Sequence, residues 1–250
     1  MKKISKYLLI IFLFSIPFAG FGQKWKLQRA EITGGMGGVN YFGDIGGSPD
    51  DSKWLGLKDL EISYTRPNIN FGGRYRLNDR MNLKVNFVFG YIEGSDAGSK
   101  NASRNYSFSS SMYELSGQYE YSLIPESTPI NFSIGNLRRG LRSSSAKLNT
   151  YVFAGLGGIF FNVKPLDDLE SSGRFDDSKN FSLVIPAGVG IKYPMTNQLH
   201  VGFELGGRLS ATDYLDGFSP EFSNSTDIYY FTLLNVVLKI ETSRRSIFKF

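Results

Sequence analysis

The sequence predicts an all-β fold, an eight-stranded antiparallel transmembrane β-barrel, and three observations carry that expectation. Apolar and polar residues alternate with a period of two in segment after segment. The connections between these segments alternate between short turns and long loops, as in barrels that cross a membrane. Most segments also reach the ~9–11 residues that a tilted strand needs to cross a bilayer. Glycine (28 residues) and aromatic side chains (15%) are prominent and charged residues stand at 20%, which suits twisted strands better than amphipathic helices.

The first segment of the chain reads as a targeting signal. Lys2, Lys3 and Lys6 form a basic start, Tyr7 to Phe14 is an unbroken apolar run, Pro17 breaks it, and Gly20 and Gly22 supply small residues before a cut ahead of Gln23. The run is shorter than the ~20 residues of a spanning helix. The expected division is therefore a cleaved signal peptide over residues 1–22 and a single barrel domain over residues 23–250. Loss of the three lysines leaves 25 basic against 23 acidic residues, so the near-neutral remainder does not point to nucleic acid. The absence of cysteine excludes disulfides, thiolate metal sites and lipidation on a cysteine.

The expected strands follow in order. Arg29 to Tyr41 begins with Arg29, Glu31 and Thr33 opposite Ala30 and Ile32, then enters the glycine run Gly34, Gly35, Met36, Gly37, Gly38. In Asn68–Leu77, Ile69, Phe71, Tyr75 and Leu77 oppose Asn70, Arg74 and Arg76. In Asn82–Ile92, Leu83, Val85, Phe87, Phe89 and Tyr91 oppose Lys84, Asn86 and Gly90. In Met112–Leu123, Tyr113, Leu115, Tyr119, Tyr121 and Leu123 alternate with Glu114, Ser116, Gln118, Glu120 and Ser122. Asn149–Lys164 and Phe181–Tyr193 are apolar on both faces and carry glycines, which mark bends and close approaches in barrels. In Leu199–Ser210, Val201, Phe203, Leu205 and Leu209 oppose Glu204, Arg208 and Ser210. In Asp227–Glu241, Ile228, Tyr230, Leu234, Val236, Leu238 and Ile240 oppose Asn235, Lys239 and Glu241. The order is an up-and-down meander of the OmpA/OmpX type.

Short links fall at Asn78–Arg80 and Thr196–Gln198. Long ones fall at Gly43–Arg66, Gly94–Ser107, Pro165–Lys179 and Asp216–Thr226. Pro125–Leu148 is long but belongs by its order to the short-turn side. Alternation alone does not say which face is inside, since a soluble barrel would bury the apolar one. Strand length, tyrosines and phenylalanines near strand ends (Tyr41, Phe42, Tyr91, Tyr106, Tyr193, Tyr229) and a terminal aromatic, Phe250, favour lipid outside. The polar face then fills the lumen with a charge network of Glu31, Arg74, Arg76, Glu114, Glu120, Glu204 and Arg208, joined by Lys84, Lys239 and Glu241. Eight strands leave room for little more than side chains, so a plugged barrel is preferred to a conducting pore.

No catalytic set stands out. The single histidine, His200, falls at the short-turn rim and reads as an amphipathic interface residue. The aspartate pairs at 50–51, 167–168 and 176–177 lack the spacing of a calcium loop and read as solvated surface. The glycine run lacks the lysine and strand-to-helix context of a phosphate loop. Hence no enzyme, no metal and no cofactor is expected. What remains is a charge asymmetry. The long loops hold Asp44, Asp50, Asp51, Asp96, Asp167, Asp168, Glu170, Asp176, Asp177, Asp216 and Glu221. The opposite end holds Arg138, Arg139, Arg142 and Lys147, with Arg244 and Arg245 in the tail, a basic face for an acidic periplasmic partner. Residues 134–141 could add a short helix with Leu137 and Leu141.

Several motifs carry a family resemblance. Glu31-Ile32-Thr33-Gly34-Gly35-Met36-Gly37, followed by Tyr41-Phe42-Gly43-Asp44-Ile45-Gly46-Gly47, resembles the PorG-like outer-membrane barrels. So do Arg66-Pro67, Arg74-Tyr75-Arg76-Leu77 and Gly94-Ser95-Asp96. That resemblance implies an eight-stranded outer-membrane barrel, associated with the type IX secretion system, that contacts a periplasmic ring of a lipoprotein and its partner. It supplies no catalytic residues. The expected function is a non-enzymatic anchor of a periplasm-spanning assembly, in contact with outer-membrane lipid and lipopolysaccharide. The alternatives are a stand-alone OmpA/OmpX-like surface barrel for adhesion or envelope integrity, and a narrow pore.

Overall fold

The structure is a computed structural model that describes residues 28–43, 45–46, 65–97, 99, 101–126, 148–173, 175–176, 178–218 and 227–240. The expected signal peptide, residues 134–141 and most of the first long loop lie outside them. Eight strands close into one barrel: β1 (Ala30–Phe42), β2 (Arg66–Arg76), β3 (Met81–Ser95), β4 (Tyr106–Ile124), β5 (Asn149–Asp167), β6 (Phe181–Pro194), β7 (Leu199–Ser210) and β8 (Ile228–Ile240). Each pairs antiparallel with its neighbour in sequence, and β1 closes on β8 from Ala30↔Ile240 to Phe42↔Ile228. No edge is left unpaired along the barrel wall, which is what closure achieves for a β protein.

The alternation resolves in favour of an apolar exterior. Ile32, Met36, Phe71, Val85, Leu115, Leu156, Leu183 and Leu234 are all exposed, while Glu31, Arg74, Lys84, Glu114, Glu120, Glu204 and Arg208 are buried. Water would penalise such an outer surface, and lipid matches it. On β4 the outward apolar face runs from Tyr113 to Leu123, about ten steps of ~3.3 Å on a strand tilted by about 40°, or about 25 Å of hydrocarbon thickness.

One end carries the tight turns at residues 77–80 and 195–198, and the other carries the long loops; they are called the turn end and the loop end below. Asn78 makes the first turn, its Oδ1 accepting from the backbone N–H groups of Arg80 and Met81 at 2.8 Å each. The strands overrun the expected boundaries at the loop end. Residues 94–95 and 106–107, expected in a loop, pair as Gly94↔Phe108 and Ser95↔Ser107, and β5 pairs up to Tyr106↔Asp167. Here the outward face turns polar (Ser109, Ser111, Asn162, Lys164), so β3, β4 and β5 continue as a wall above the apolar belt.

The glycine run of β1 stays in the strand. A Cβ at Gly35 would lie 2.5 Å from Asn235 Oδ1 and 2.9 Å from Asn70 Oδ1, so the missing side chain lets those two amides meet inside the barrel. Gly190 does the same for the ring of Tyr151. Between β5 and β6 the ladder pauses from Ala154↔Ala187 to Gly157↔Val184, where Pro186 has no N–H to give.

The tyrosine assignments divide. Tyr91 and Tyr193 are exposed on the outer face, beside Tyr113, Phe160 and Phe181, and they fit an aromatic girdle. Tyr229 does not: it is buried inside, because it shares the parity of Phe231 and Leu233 rather than that of Tyr230. Tyr41 and Tyr106 also pack against the interior cluster.

Candidate functional site

Inward residues of the turn-end half form one ion network. Arg74 of β2 is its hub. Its Nε lies 2.7 Å from Glu120 Oε2 and its Nη2 2.8 Å from Glu120 Oε1, a two-pronged contact across the lumen to β4. Its Nη1 reaches Glu31 at 3.2 Å, and its Nη2 reaches Glu204 at 3.4 Å. Glu204 of β7 also receives Lys84 at 2.7 Å and 2.8 Å and the hydroxyl of Tyr151 at 2.7 Å. Each of these side chains is almost wholly removed from water, so the pairs offset a desolvation penalty that neither partner could bear alone.

Below the hub, at the turn-end mouth, a second carboxylate gathers cations. Glu126 lies just past β4 and turns back across the opening. Its oxygens stand 3.3 Å from Lys192 Nζ, 2.8 Å from His200 Nε2 and 3.8 Å from Arg76 Nη1, and they also pair with Lys239. Lys192 bridges upward to Glu31 at 3.1 Å. Burial opposes ionisation of Glu126, but the Lys192 charge, the His200 hydrogen bond and the Lys239 charge outweigh it and hold the carboxyl well below the usual range.

The sequence-derived lumen set therefore falls into three groups. Glu31, Arg74, Glu120 and Glu204 are brought together in the hub. Arg76 belongs to the Glu126 mouth. Arg208 and Glu114 stand apart toward the loop end, 3.4 Å from each other, with the Tyr229 hydroxyl donating to Glu114 at 2.8 Å and the guanidinium over the Phe231 ring. Sequence reading missed Lys192, Tyr151, His200 and Glu126. The first two were accessible, because the period of two along β5 and β6 points Tyr151 and Lys192 inward beside Phe153 and Gly190. His200 does stand at the turn-end rim, as the second residue of β7, but it is no interface residue: it faces inward, 2% exposed, and is bound to Glu126. Nothing local marks Glu126, whose position depends on how the chain leaves β4.

Beyond the Arg208–Glu114 pair, the loop-end half of the lumen is largely apolar, against the expectation of a polar interior throughout. Val39, Val88, Ile92, Phe108, Met112, Ile159, Phe161, Phe231 and Leu233 point inward, and Ile45, Leu169, Leu215 and Phe218 from the loops pack down on them. Three buried aspartates fasten this cap. Asp96 accepts from Gly46 N–H at 3.0 Å and pairs with Arg104 at 2.8 Å. Asp216 accepts from Ile45 N–H at 3.2 Å and Phe218 N–H at 2.9 Å. Asp227 accepts from the Tyr41 hydroxyl at 2.6 Å and Leu215 N–H at 2.9 Å. Asp96 and Asp216, expected as acids of the long loops, are fully buried, and each directs its charge at loop backbone. Burial, reinforced by the Asp216 charge, pushes the Asp227 carboxyl up to about 8. Asp167, Asp168 and Glu170 do remain exposed.

Arg138, Arg139, Arg142, Lys147, Arg244 and Arg245, the expected basic docking face, lie outside the described residues, as do Asp44, Asp50, Asp51, Asp177, Glu221 and Glu241. Among the described residues, no group of three or more His, Asp or Glu side chains is arranged to hold a metal.

Known structures with similar barrels include neisserial surface protein A (NspA), at 11% identity, with 84% of this chain and 97% of that chain covered and a TM-score of 0.48. OprG from Pseudomonas aeruginosa is similar at 10% identity, with 86% and 96% covered and a TM-score of 0.45. A major outer membrane protein from Thermus thermophilus is similar at 12% identity, with 84% and 99% covered and a TM-score of 0.40. No curated protein matches at the level of sequence. The family described as a domain of unknown function (DUF6089) matches residues 6–237, nearly the whole chain, and the protein belongs to that family.

Proposed function

We propose that this protein is a non-enzymatic outer-membrane barrel that anchors a periplasm-spanning assembly, of the type IX secretion kind implied by its PorG-like motifs. The observation that carries the reading is the filled lumen. The Arg74 hub and the Glu126 mouth occupy one half, and the apolar cluster under its aspartate-fastened cap occupies the other. A barrel filled in this way has a rigid body to offer and no passage through it. The apolar belt and its aromatic margins suit a bilayer, and the short turns then face the periplasm and the long loops the outside. On that orientation, Arg138, Arg139, Arg142 and Lys147 belong to the periplasmic connection, where a basic surface meets an acidic partner.

The test is co-purification of the tagged protein from outer membranes in mild detergent, comparing wild type with R138E/R139E/R142E. The expected result is a defined set of periplasmic proteins with wild type and their loss from the charge-reversed variant, both barrels remaining heat-modifiable on gels. Recovery of the same proteins with both forms would overturn the basic docking face. Recovery of neither would move the reading to a stand-alone surface barrel for adhesion or envelope integrity, which the well-built loop-end cap favours. In planar bilayers the filled lumen should give no steady ion conductance.

A further inference from the structure

Among the described residues, the Glu126 mouth gathers three cationic side chains and a histidine ring around one carboxylate. Arg76 from β2, Lys192 from β6, His200 from β7 and Lys239 from β8 converge on one carboxylate that comes from none of those strands. Among the described residues, the other carboxylate paired with these cations is Glu31, which is shared with Arg74 one layer deeper. Glu126 is also unlike the other acidic residues of the network. Glu31, Glu114, Glu120 and Glu204 are fixed in the wall, whereas Glu126 stands in the connection after β4 and reaches the cations by crossing the opening. The His200 ring presents Nε2 to Glu126 while its buried Nδ1 has no partner among the described residues, so the cup keeps polar capacity that Glu126 does not use.

We infer that the turn-end mouth is a carboxylate-binding cup, built by Arg76, Lys192, His200 and Lys239, which Glu126 fills in cis and an acidic segment of a periplasmic partner fills in trans. The inference rests on the anchoring reading and names its partner chemistry: glutamate- or aspartate-rich peptide. An incoming carboxylate exchanges for Glu126 without leaving the cations bare, so the step avoids the penalty of unpaired buried charge.

The chain contains one histidine, so the His200 ring is a unique reporter of the cup. The experiment uses the full-length barrel in detergent micelles, labelled with ¹⁵N-histidine and titrated with hexaglutamate or hexaglutamine peptide. The expected result is a saturable shift of the His200 ring resonances with hexaglutamate only, at about tenfold lower peptide concentration in E126Q because the internal competitor is gone. The further change K192M in the E126Q background should weaken it again. Equal titrations of wild type and E126Q, or no ring shift in either, would overturn the cup. If E126Q does not fold, as judged by heat-modifiable gel mobility, the wild-type titration decides alone, and absence of a shift at saturating hexaglutamate overturns the proposal. The docking reading is separated by R138E/R139E/R142E. Peptide binding by fluorescence anisotropy that is lost in this variant, with His200 unmoved throughout, keeps the basic face and removes the cup. A His200 shift that persists in it keeps the cup even if co-purification shows the basic face to be idle.

Discussion

The two halves of the lumen solve the same packing problem with opposite chemistry. At the turn end, space is filled by charged groups held in pairs, with Arg74 serving Glu31, Glu120 and Glu204 at once. At the loop end, space is filled by Val88, Ile92, Phe108, Met112 and their neighbours, packed as in the core of a water-soluble protein. Within the belt the exterior stays apolar around both, because lipid asks for that face, and only the wall above the belt at the loop end turns polar. The difference is inside, where no lipid dictates composition, and it sets how each half fails. A charge network is worth little in net energy but punishes the loss of one member. An apolar core loses in proportion to the contacts removed.

The largest expected effect follows from that asymmetry. Arg74→Met should lower unfolding stability by roughly 3–5 kcal/mol, since three buried carboxylates lose a common partner. Urea unfolding in micelles, followed by far-UV circular dichroism, measures it. A loss no greater than about 1 kcal/mol would mean that water reaches the hub. Next comes Ile92→Ala at the loop end, with an expected cost of about 2–4 kcal/mol for a residue 1% exposed. Proteolysis should then show the cap opening while the wall stays closed. Equal loosening of both ends would make the lumen a single unit.

The comparison also explains what the sequence could disclose. The strands and their outward faces were legible because lipid enforces a strict period of two, as β7 shows by matching its expected limits, Leu199–Ser210. The hub was legible in part, for the same parity turns Glu31, Arg74, Glu120 and Glu204 inward. What the pattern cannot carry is contact across the lumen between residues of non-neighbouring strands, such as Arg74 with Glu120, 46 positions away, and with Glu204, 130 positions away. Barrel closure alone sets who meets whom. The pattern is weaker still for residues beyond the strands. Asp96, Asp216 and Glu126 look like solvated acids in a linear reading, and they become buried fasteners because loop paths return them to the barrel. The apolar lining of the loop-end half was hidden for a different reason: toward that end the inward positions of β3, β4, β5 and β8 are apolar too (Val88, Ile92, Phe108, Met112, Ile159, Phe161, Phe231, Leu233), so alternation fades where the interior stops being polar.

A third prediction probes the cap by pH. Asp227 titrates near 3.8 in the unfolded chain and at about 8 in the fold, pushed up by burial and then by the Asp216 charge. A raised carboxyl favours the fold while it keeps its proton. That contribution is complete below about pH 3.8, declines as the pH rises, and is gone once the pH has passed through about 8. Between about pH 7 and pH 9 the cap should therefore lose roughly 1 kcal/mol. The protection of the Leu215 amide, which donates to Asp227, measured relative to the base-catalysed rate of a free amide at each pH, should fall over that range, and D227N should flatten the dependence. No change in wild type would mean that Asp227 is ionised at neutral pH and that Tyr41 and Leu215 sustain its charge.

The smallest effect isolates burial from chemistry, because β2 carries an arginine–glutamate pair at each end. Arg74 meets Glu120 with both side chains almost sealed, whereas Arg66 meets Glu93 with 31% and 29% of their side chains exposed. The groups are the same, and only the surroundings differ. Water screens the Arg66 pair and takes back the charge when one partner is removed, so Arg66→Ala should cost about 0.2–1 kcal/mol and less in high salt. Urea midpoints at low and high salt for both variants test the contrast, with the Arg74→Met loss expected to stay large in salt. Similar losses for the two, each halved by salt, would show that the hub is open to ions, and the lumen would then have to be redrawn as a hydrated passage rather than a filled body.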